Sequence, residues 1–451
     1  MKLITGHGPD DVLAWRPSGP VRVREFLADA RALAAWLPAG AGVLNLCEDR
    51  YHFAVLFAAC LITGQLSLQP ASQSAQTLQR LAQDHAGCFA VVDGAFDTAG
   101  LPTLAFPDLG ALARPAAETA TEVPEIPDER VVAILFTSGS TGLPQPQAKT
   151  WGRLVRNGQA EAQALGLDRV PHVLVGTVPV QHSYGFESTF LLALHGGCSF
   201  WSGKPFYPQD VVEALDAVPR PRMLVTTPFH LSALLGSDLA WPALDICLSA
   251  TAPLGSELAA RIEARSGAPV HEIYGSTESG QLATRRTTDG AVWRLLPGVQ
   301  LSQENDTTRA SGGHVEGSVA LSDIIELQPG GRFLLHGRHA DLINIAGKRS
   351  SLAYLNHQLC AIEGVRDGAF FLPDGADDAA QGITRLSAFV VAPGVSPQAL
   401  QAALRQRIDR VFLPRPLVFV DALPRNSTGK LMRESLQALY RQHVAPGGAR
   451  G

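Results

Sequence analysis

No stretch of this 451-residue chain is apolar for long enough to span a bilayer, and Met1-Lys2-Leu3-Ile4 runs straight into Gly6-His7-Gly8-Pro9 without an apolar leader. A cytoplasmic setting is therefore expected, with no membrane span. Basic charge is not in excess either. The 37 Lys and Arg against 42 Asp and Glu leave a net charge of -5, which gives no electrostatic footprint for nucleic acid. Any phosphate bound here must be held by local geometry. The six cysteines (Cys47, Cys60, Cys88, Cys198, Cys247, Cys360) contain no C-x-x-C pair, which argues against a zinc site or a disulfide framework. No internal repeat is visible. No G-x-S-x-G precedes a helix, and Gly139-Ser140-Thr141-Gly142 does not fit a nucleophile elbow, so an α/β-hydrolase is poorly supported.

What is present is a chain of 46% hydrophobic and 18% charged residues, enough for two or more cores. Apolar residues at Phe26, Leu27, Ala30, Leu33, Ala34 and Leu37 predict an amphipathic helix, and Val43 to Leu46 a strand. The alternation continues through a helix from about Tyr51 to Thr63, a strand near Leu66, a helix from Ala75 to His85 and a strand from Phe89 to Val92. Beyond Trp151 it resumes as five further helices, the first running toward Leu165, that alternate with strands and end in Val270 to Tyr274. Such a pattern predicts an α/β fold with a mostly parallel, multi-layer sheet domain. After Thr277 short strand-like pieces separated by Gly and Asp predict a β-rich subdomain. From Gly337-Arg338 a small α+β domain of roughly a hundred residues follows, including a helix from Leu400 with Leu404, Ile408, Val411 and Phe412 on one stripe. The expected division is 1–337 and 338–451.

Between these segments, Ile134-Leu135-Phe136 empties into Thr137-Ser138-Gly139-Ser140-Thr141-Gly142-Leu143-Pro144. Gly139 and Gly142 allow backbone N–H groups to converge, and the hydroxyls of Thr137, Ser138, Ser140 and Thr141 add neutral donors around a polyphosphate. A plain surface turn is the competing reading. The G-x-x-x-x-G-K-[ST] loop is not met, because Leu143-Pro144 follows Gly142.

Three more segments place glycine and polar residues after a strand or in a loop. They are Tyr274-Gly275-Ser276-Thr277-Glu278, the run Gly337-Arg338-His339-Ala340-Asp341 through Gly347-Lys348-Arg349, and Asn426-Ser427-Thr428-Gly429-Lys430. In this order and at these separations the four resemble the adenylate-forming superfamily of acyl- and aryl-CoA synthetases, nonribosomal adenylation domains and firefly luciferase, from about residue 130 to 435. The resemblance implies ATP and Mg²⁺ as cofactors and a large domain followed by a small mobile one. It implies activation of an aryl or acyl carboxylic acid to an acyl-adenylate with release of pyrophosphate, then transfer to a phosphopantetheine thiol, with that of an acyl carrier protein as the expected acceptor and free CoA as the alternative.

By the same resemblance Glu278 is the metal ligand, and Lys430 enters from the small domain to stabilise the adenylation transition state. Thr251, Ala252, Glu272, Tyr274, Gly275 and Thr277 surround the nucleotide together with the first loop, Asp323 holds the ribose and Arg338 assists. His182 stands near the substrate carboxylate and the acceptor entrance, and Gly347 and Arg349 approach the acceptor's arm. The acid pocket falls to Tyr184, Phe186, Phe229, Ser249, Ala250 and Gln281. The stretches around His182 and Glu278 look most like the compact ligases of aryl-polyene and xanthomonadin pigment clusters.

The chain departs from the family in three places. Gln145-Pro146 replaces the usual Lys-Gly, leaving Lys149 as the nearest cation; Ala340 replaces an acidic or basic hinge residue; and Asn344 replaces a common lysine. Gln145 and Ala340 motivate a second reading, a nucleotide- or acyl-adenylate-binding protein without turnover. Retention of both Glu278 and Lys430 favours an enzyme.

Overall fold

The helix Arg50–Thr63 is apolar on every side, the mark of an element packed between two layers. It starts at Asp49, whose carboxylate accepts from the N–H of Tyr51 and His52, and stops at Gly64 in the left-handed conformation, where a side chain would be strained. In a computed structural model, which describes the chain except residues 41, 71–73, 114–121, 139–143, 306, 339–341, 346–347, 374–376, 379–382, 385, 427–430 and 445–451, this helix lies at the centre of the first of two units. That unit comprises Met1–Ala320 and Pro329–Arg332; the second comprises Leu321–Gln328 and Phe333–Gly451.

Two sheets enclose the central helices of the first unit. One runs Thr103–Ala105, Phe89–Val92, Gly42–Asn45, Leu66–Gln69, Val131–Ser138 and Pro144–Thr150, parallel except for the antiparallel last pair. The other places Val270–Ser276, Ile246–Ser249, Arg222–Thr226, Val173–Gly176 and Ser199–Trp201 side by side and parallel. Gly280–Arg286 and Val292–Leu295 are added antiparallel beyond Val270–Ser276. Alternate residues of these strands face different cores. Val225, Leu248 and Met223 pack inward on the aromatic cluster of Phe53, Phe57, Phe186, Phe190 and Trp151. Leu224, Cys247 and Val175 face outward onto the helices Pro208–Asp216, Pro228–Leu235 and Ser256–Ser266. The result is the layered α/β architecture that the alternation predicts. A separate antiparallel sheet of Val299–Glu304, Thr307–Gly312 and Ser318–Ala320 forms the β-rich part.

In the second unit Asp367–Phe371, Ser387–Val391 and Leu417–Phe419 form a sheet. Helices Leu352–Cys360 and Pro397–Arg407 contribute Leu355, Leu359, Leu400 and Leu404 to the core on one face, while Phe371 and Phe389 pack with Leu436 of Arg433–His443. The helix expected to carry Leu404 through Phe412 stops at Arg407 instead. Ile408 is extended, and Asp409 caps a separate short turn, Arg410–Phe412, by accepting from the N–H of Val411. Ile408 and Phe412 are buried all the same, so the apolar stripe survives the break.

Candidate active site

The parallel strands Val173–Gly176, Arg222–Thr226, Ile246–Ser249 and Val270–Ser276 all end on one edge, where open α/β sheets bind their ligands. The segments that leave this edge carry most of the residues singled out from the sequence. His182 caps the short helix Ser183–Gly185, its Nδ1 accepting from Tyr184 N–H at 3.3 Å. The buried Tyr184 hydroxyl donates to the carbonyl of Leu248 at 2.9 Å. Thr277 Oγ1 donates to Ser183 Oγ at 3.3 Å, which joins the His182 segment to the turn that bears Glu278.

That turn is tightly constrained. A Cβ on Gly275 would lie 2.3 Å from the carbonyl oxygen of Gly280, and Gly280 itself adopts φ +70°. No other residue fits position 275 without opening the turn. Ser276 and Ser279 bond each other across it, Oγ to Oγ at 3.1 Å. Nearby Thr251 holds φ +76°, an outlier for a β-branched residue of the kind that collects at functional sites. Glu272 shapes the same loop from behind. Its carboxylate accepts from Leu254 N–H at 2.9 Å, Arg285 Nε at 2.7 Å and Thr287 Oγ1 at 3.0 Å, so it is fully engaged with protein.

Beneath the turn lies a buried polar group that hydropathy reading misses. Glu161, on helix Trp151–Leu165, is fully buried, and both its oxygens lack a hydrogen bond of ordinary geometry among the described residues. Ser188 and Gln281 stand beside it and favour its charged form, but Gln281 Nε2 donates to Ser188 Oγ at 2.7 Å. Burial wins and pushes the Glu161 carboxyl up to about 7. Glu187 is raised too, first by burial and then by Glu161, against the pull of Lys149. His314 donates from Nε2 to the carbonyl of Gln281, and burial lowers it to about 4, so it is neutral at pH 7.

This arrangement has a consequence for stability. An acid whose folded pKa lies above its unfolded value of about 4.3 keeps a proton that the unfolded chain has lost, so its contribution to stability declines as pH rises from there toward 7. Buried neutral histidines act with the opposite sign, because their folded pKa is depressed. The difference between parent and Glu161→Gln removes the histidines' share and leaves that of the Glu161 carboxyl with its coupling to Glu187. Relative to the parent, the glutamine variant should gain on the order of 3 kcal/mol between pH 5 and pH 8. Denaturant titrations at both pH values check this, and parallel pH curves for the two proteins would refute it.

Ser249 is fully buried with its Oγ unpartnered among the described residues, and Ala250 N–H donates to the carbonyl of Thr226 at 3.3 Å. Phe186 is packed in the aromatic core between Phe53, Phe57 and Phe190. Phe229 is 41% exposed and meets His230 edge-on. Tyr274 is half-buried against Trp293, 5.7 Å between ring centroids, and Ala252 is half-buried in the loop that follows Ser249. Asp323 opens the strand Asp323–Gln328 of the second unit, and Arg338 ends the strand Arg332–Arg338. Gly139, Ser140, Thr141, Gly142, Gly347 and Lys430 lie outside the described residues, as do the side chains of Thr137, Ser138 and Arg349.

No group of three or more His, Cys, Asp or Glu among the described residues could cage a metal ion. The half-buried Glu278 carboxylate accepts no hydrogen bond from a described residue. A single such oxygen donor suits Mg²⁺ that takes its other ligands from phosphates and water.

Residues 19–322 match the AMP-binding enzyme family and residues 359–430 the AMP-binding enzyme C-terminal domain. A 4-coumarate–CoA ligase of Rhodobacter capsulatus is 30% identical over 307 residues, which is 67% of this chain and 75% of the relative. ATP-bound MatB from Rhodopseudomonas palustris shares the fold with a TM-score of 0.80 at 19% identity over 97% of both chains. A benzoate–CoA ligase from Burkholderia xenovorans does so with a TM-score of 0.75 at 19% identity, over 95% of this chain and 97% of that one. The four motifs, the layered fold and these matches agree, and the chain belongs to the AMP-binding enzyme family, as an adenylate-forming acid–thiol ligase of the acyl/aryl-CoA ligase kind.

Proposed function

We propose that this enzyme uses ATP to convert an aryl carboxylate to its acyl-adenylate, releasing pyrophosphate, and then passes the acyl group to the thiol of CoA. The observation that carries this reading is the meeting of the Gly275–Gly280 turn, which bears Glu278, with the His182 segment through Thr277 and Ser183. Glu278, assigned here to the metal, and His182, assigned here to orient the acid's carboxylate, thus belong to two segments joined by a hydrogen bond. The name of the 30% identical relative, a ligase of 4-coumarate, supports an aryl acid.

In this mechanism the substrate carboxylate attacks the α-phosphorus of ATP. Mg²⁺, when bound, offsets charge on the phosphates. Glu278 holds that ion's position, Thr277 and the Thr137 to Gly142 loop orient the phosphates, and Tyr274 lies against adenine beside Thr251 and Ala252. His182 orients the acid and borders the path of the incoming thiol. Tyr184, Ser249, Ala250 and Gln281 bound the acid pocket. Asp323 and Arg338 hold the ribose side, Lys430 neutralises charge that develops in the transition state, and Gly347 and Arg349 guide the pantetheine arm. Glu278→Gln keeps size and loses charge, so the Mg²⁺ needed for half-maximal activity should rise by about tenfold or more while the fold survives. A Mg²⁺ titration checks this, and a curve that overlays the parent's counts against the role.

A second acceptor, an acyl carrier protein as in the aryl-polyene ligases, is favoured by one observation. Arg405, Arg407, Arg410 and Arg415 are exposed on the second unit and would suit an acidic partner. Two other cations of that unit are already neutralised, Lys348 by Asp409 and Arg425 by Asp367. One preformed aryl-adenylate, given to the enzyme with CoA or with a phosphopantetheinylated carrier protein at equal concentration, separates the two. Faster acylation of CoA is expected, and faster acylation of the carrier overturns that choice.

A further inference from the structure

Gln145 and Pro146 stand where the family resemblance leads to lysine and glycine, and the nearest cation, Lys149, points elsewhere. It sits on Pro144–Thr150, which pairs antiparallel with Val131–Ser138, opposite Ala133. The side chain is only 5% exposed, and its Nζ donates to the main-chain carbonyl of Glu278 at 3.3 Å. Burial lowers its pKa, and the carboxyl groups of Glu187, Glu316 and Glu278 oppose that shift and favour its charge. An ammonium removed from water is costly unless carboxylates and carbonyls replace its hydration, so this cation is confined to this place.

The turn rests directly on the same group. A Cβ on Gly280 would be 3.3 Å from His314 Cδ2, 3.5 Å from Asn157 Nδ2 and 3.7 Å from Glu187 Oε1. The neighbouring Thr150 is held in register, its N–H and Oγ1 donating to Glu316 Oε1 at 2.8 and 2.7 Å. Two elements that resemble the nucleotide machinery are therefore joined from below by one charge-assisted hydrogen bond.

We propose that Lys149 is a positioning residue: it ties the strand Pro144–Thr150 to the Gly275–Gly280 turn and thereby sets where the Glu278 carboxylate stands. The inference rests on the assignment of Glu278 to Mg²⁺ made above. A purely structural alternative exists, in which Lys149 only balances the charge of Glu187. The variant Lys149→Met leaves Glu187 without its cation, whereas Lys149→Met with Glu187→Gln removes both charges at nearly constant size and separates the two roles.

The first measurement is amide hydrogen exchange without Mg²⁺ or nucleotide. In the double variant, amides of residues 274–281 should exchange about tenfold faster or more, while Arg222–Thr226 keeps its parental protection. The second is the Mg²⁺ dependence of acid-driven pyrophosphate exchange, where the half-saturating Mg²⁺ should rise by about tenfold and KM for the acid should move less than about twofold. Lys149→Arg, which retains the cation, should recover most of both effects. Parental exchange rates in the turn, or a parental Mg²⁺ curve in the double variant, overturn the proposal. If the unmodified enzyme drives no acid-dependent exchange, the functional reading fails by itself, and the amide measurement still judges Lys149.

Discussion

Lys430→Ala should lower adenylation by about 10²–10³-fold while leaving ATP affinity nearly unchanged. The asymmetry follows from where charge appears. Negative charge on the α-phosphate and the departing pyrophosphate grows on the way to the transition state, and a lysine brought there acts on that growth more than on ground-state ATP. The segment before Lys430 has a fixed anchor. Arg425 donates from Nε and Nη2 to Asp367 at 2.8 and 2.7 Å, and a bridge pairs Arg425 with Leu431 across the intervening residues. Truncation at position 430 therefore spares the anchor. Pyrophosphate-exchange rates and ATP binding, measured on the same variant, check the split, and exchange within about threefold of the parent would sink the assignment.

Arg50→Met should cost the first unit on the order of 3–5 kcal/mol. Arg50 is 2% exposed at the start of helix Arg50–Thr63, and its guanidinium donates to the carbonyls of Gly176 at 2.7 Å, Val178 at 2.5 Å and Gly203. Burial lowers it to about 10, so it is charged throughout the physiological range. Methionine fills the space but takes this donor from two buried acceptors, the carbonyls of Gly176 and Val178, and from the half-buried carbonyl of Gly203. Lysine should recover only part of the loss, because a single ammonium cannot reproduce the planar fork. Val178 opens the segment that leads to His182, so the variant should also lose activity beyond what its unfolded fraction explains. Denaturant midpoints of parent, methionine and lysine variants measure the effect, and a loss below about 1 kcal/mol would refute the clamp.

Much of the architecture follows from periodicity. The strands Phe89–Val92, Ser199–Trp201 and Ile246–Ser249 and the helix Trp151–Leu165 begin and end where apolar spacing and flanking residues put them. The strand Pro144–Thr150 was not legible, since two prolines and no apolar alternation disguise it. The strand lies at a sheet edge, where prolines are tolerated because an edge strand pairs on one side only. The hairpin Val12–Arg16 and Gly19–Arg22 is short and half-exposed and gives no strong period. Ile408 and Phe412 show a different limit, because the same buried stripe is met by a helix end plus a capped turn.

The candidate site was legible where it consists of loop motifs, because glycine and hydroxyl residues after a strand have a backbone reason to be there. Its buried support was not. Lys149, Glu161 and Glu187 are charged residues in the interior, and hydropathy assigns such residues to the surface. One signal was available in principle. Asn157 and Glu161 stand four apart on a helix whose other buried positions are small or apolar, a pairing that marks one face. Nothing local in the sequence tells that Glu187 and Lys149 meet them there, since that depends on a sheet edge and a helix far apart in the chain.

The central claim is that this chain activates a carboxylic acid with ATP, and acid-dependent ATP–pyrophosphate exchange tests it most directly. Benzoate, hydroxybenzoates, 4-coumarate and a series of fatty acids are offered in turn to the purified enzyme with Mg²⁺ and labelled pyrophosphate. At least one aryl acid should drive exchange that disappears without Mg²⁺ and falls by about 10²–10³-fold in Lys430→Ala. Fatty acids that drive exchange when no aryl acid does would contradict the aryl assignment, and no exchange with any acid from an enzyme that still binds ATP would contradict the account as a whole.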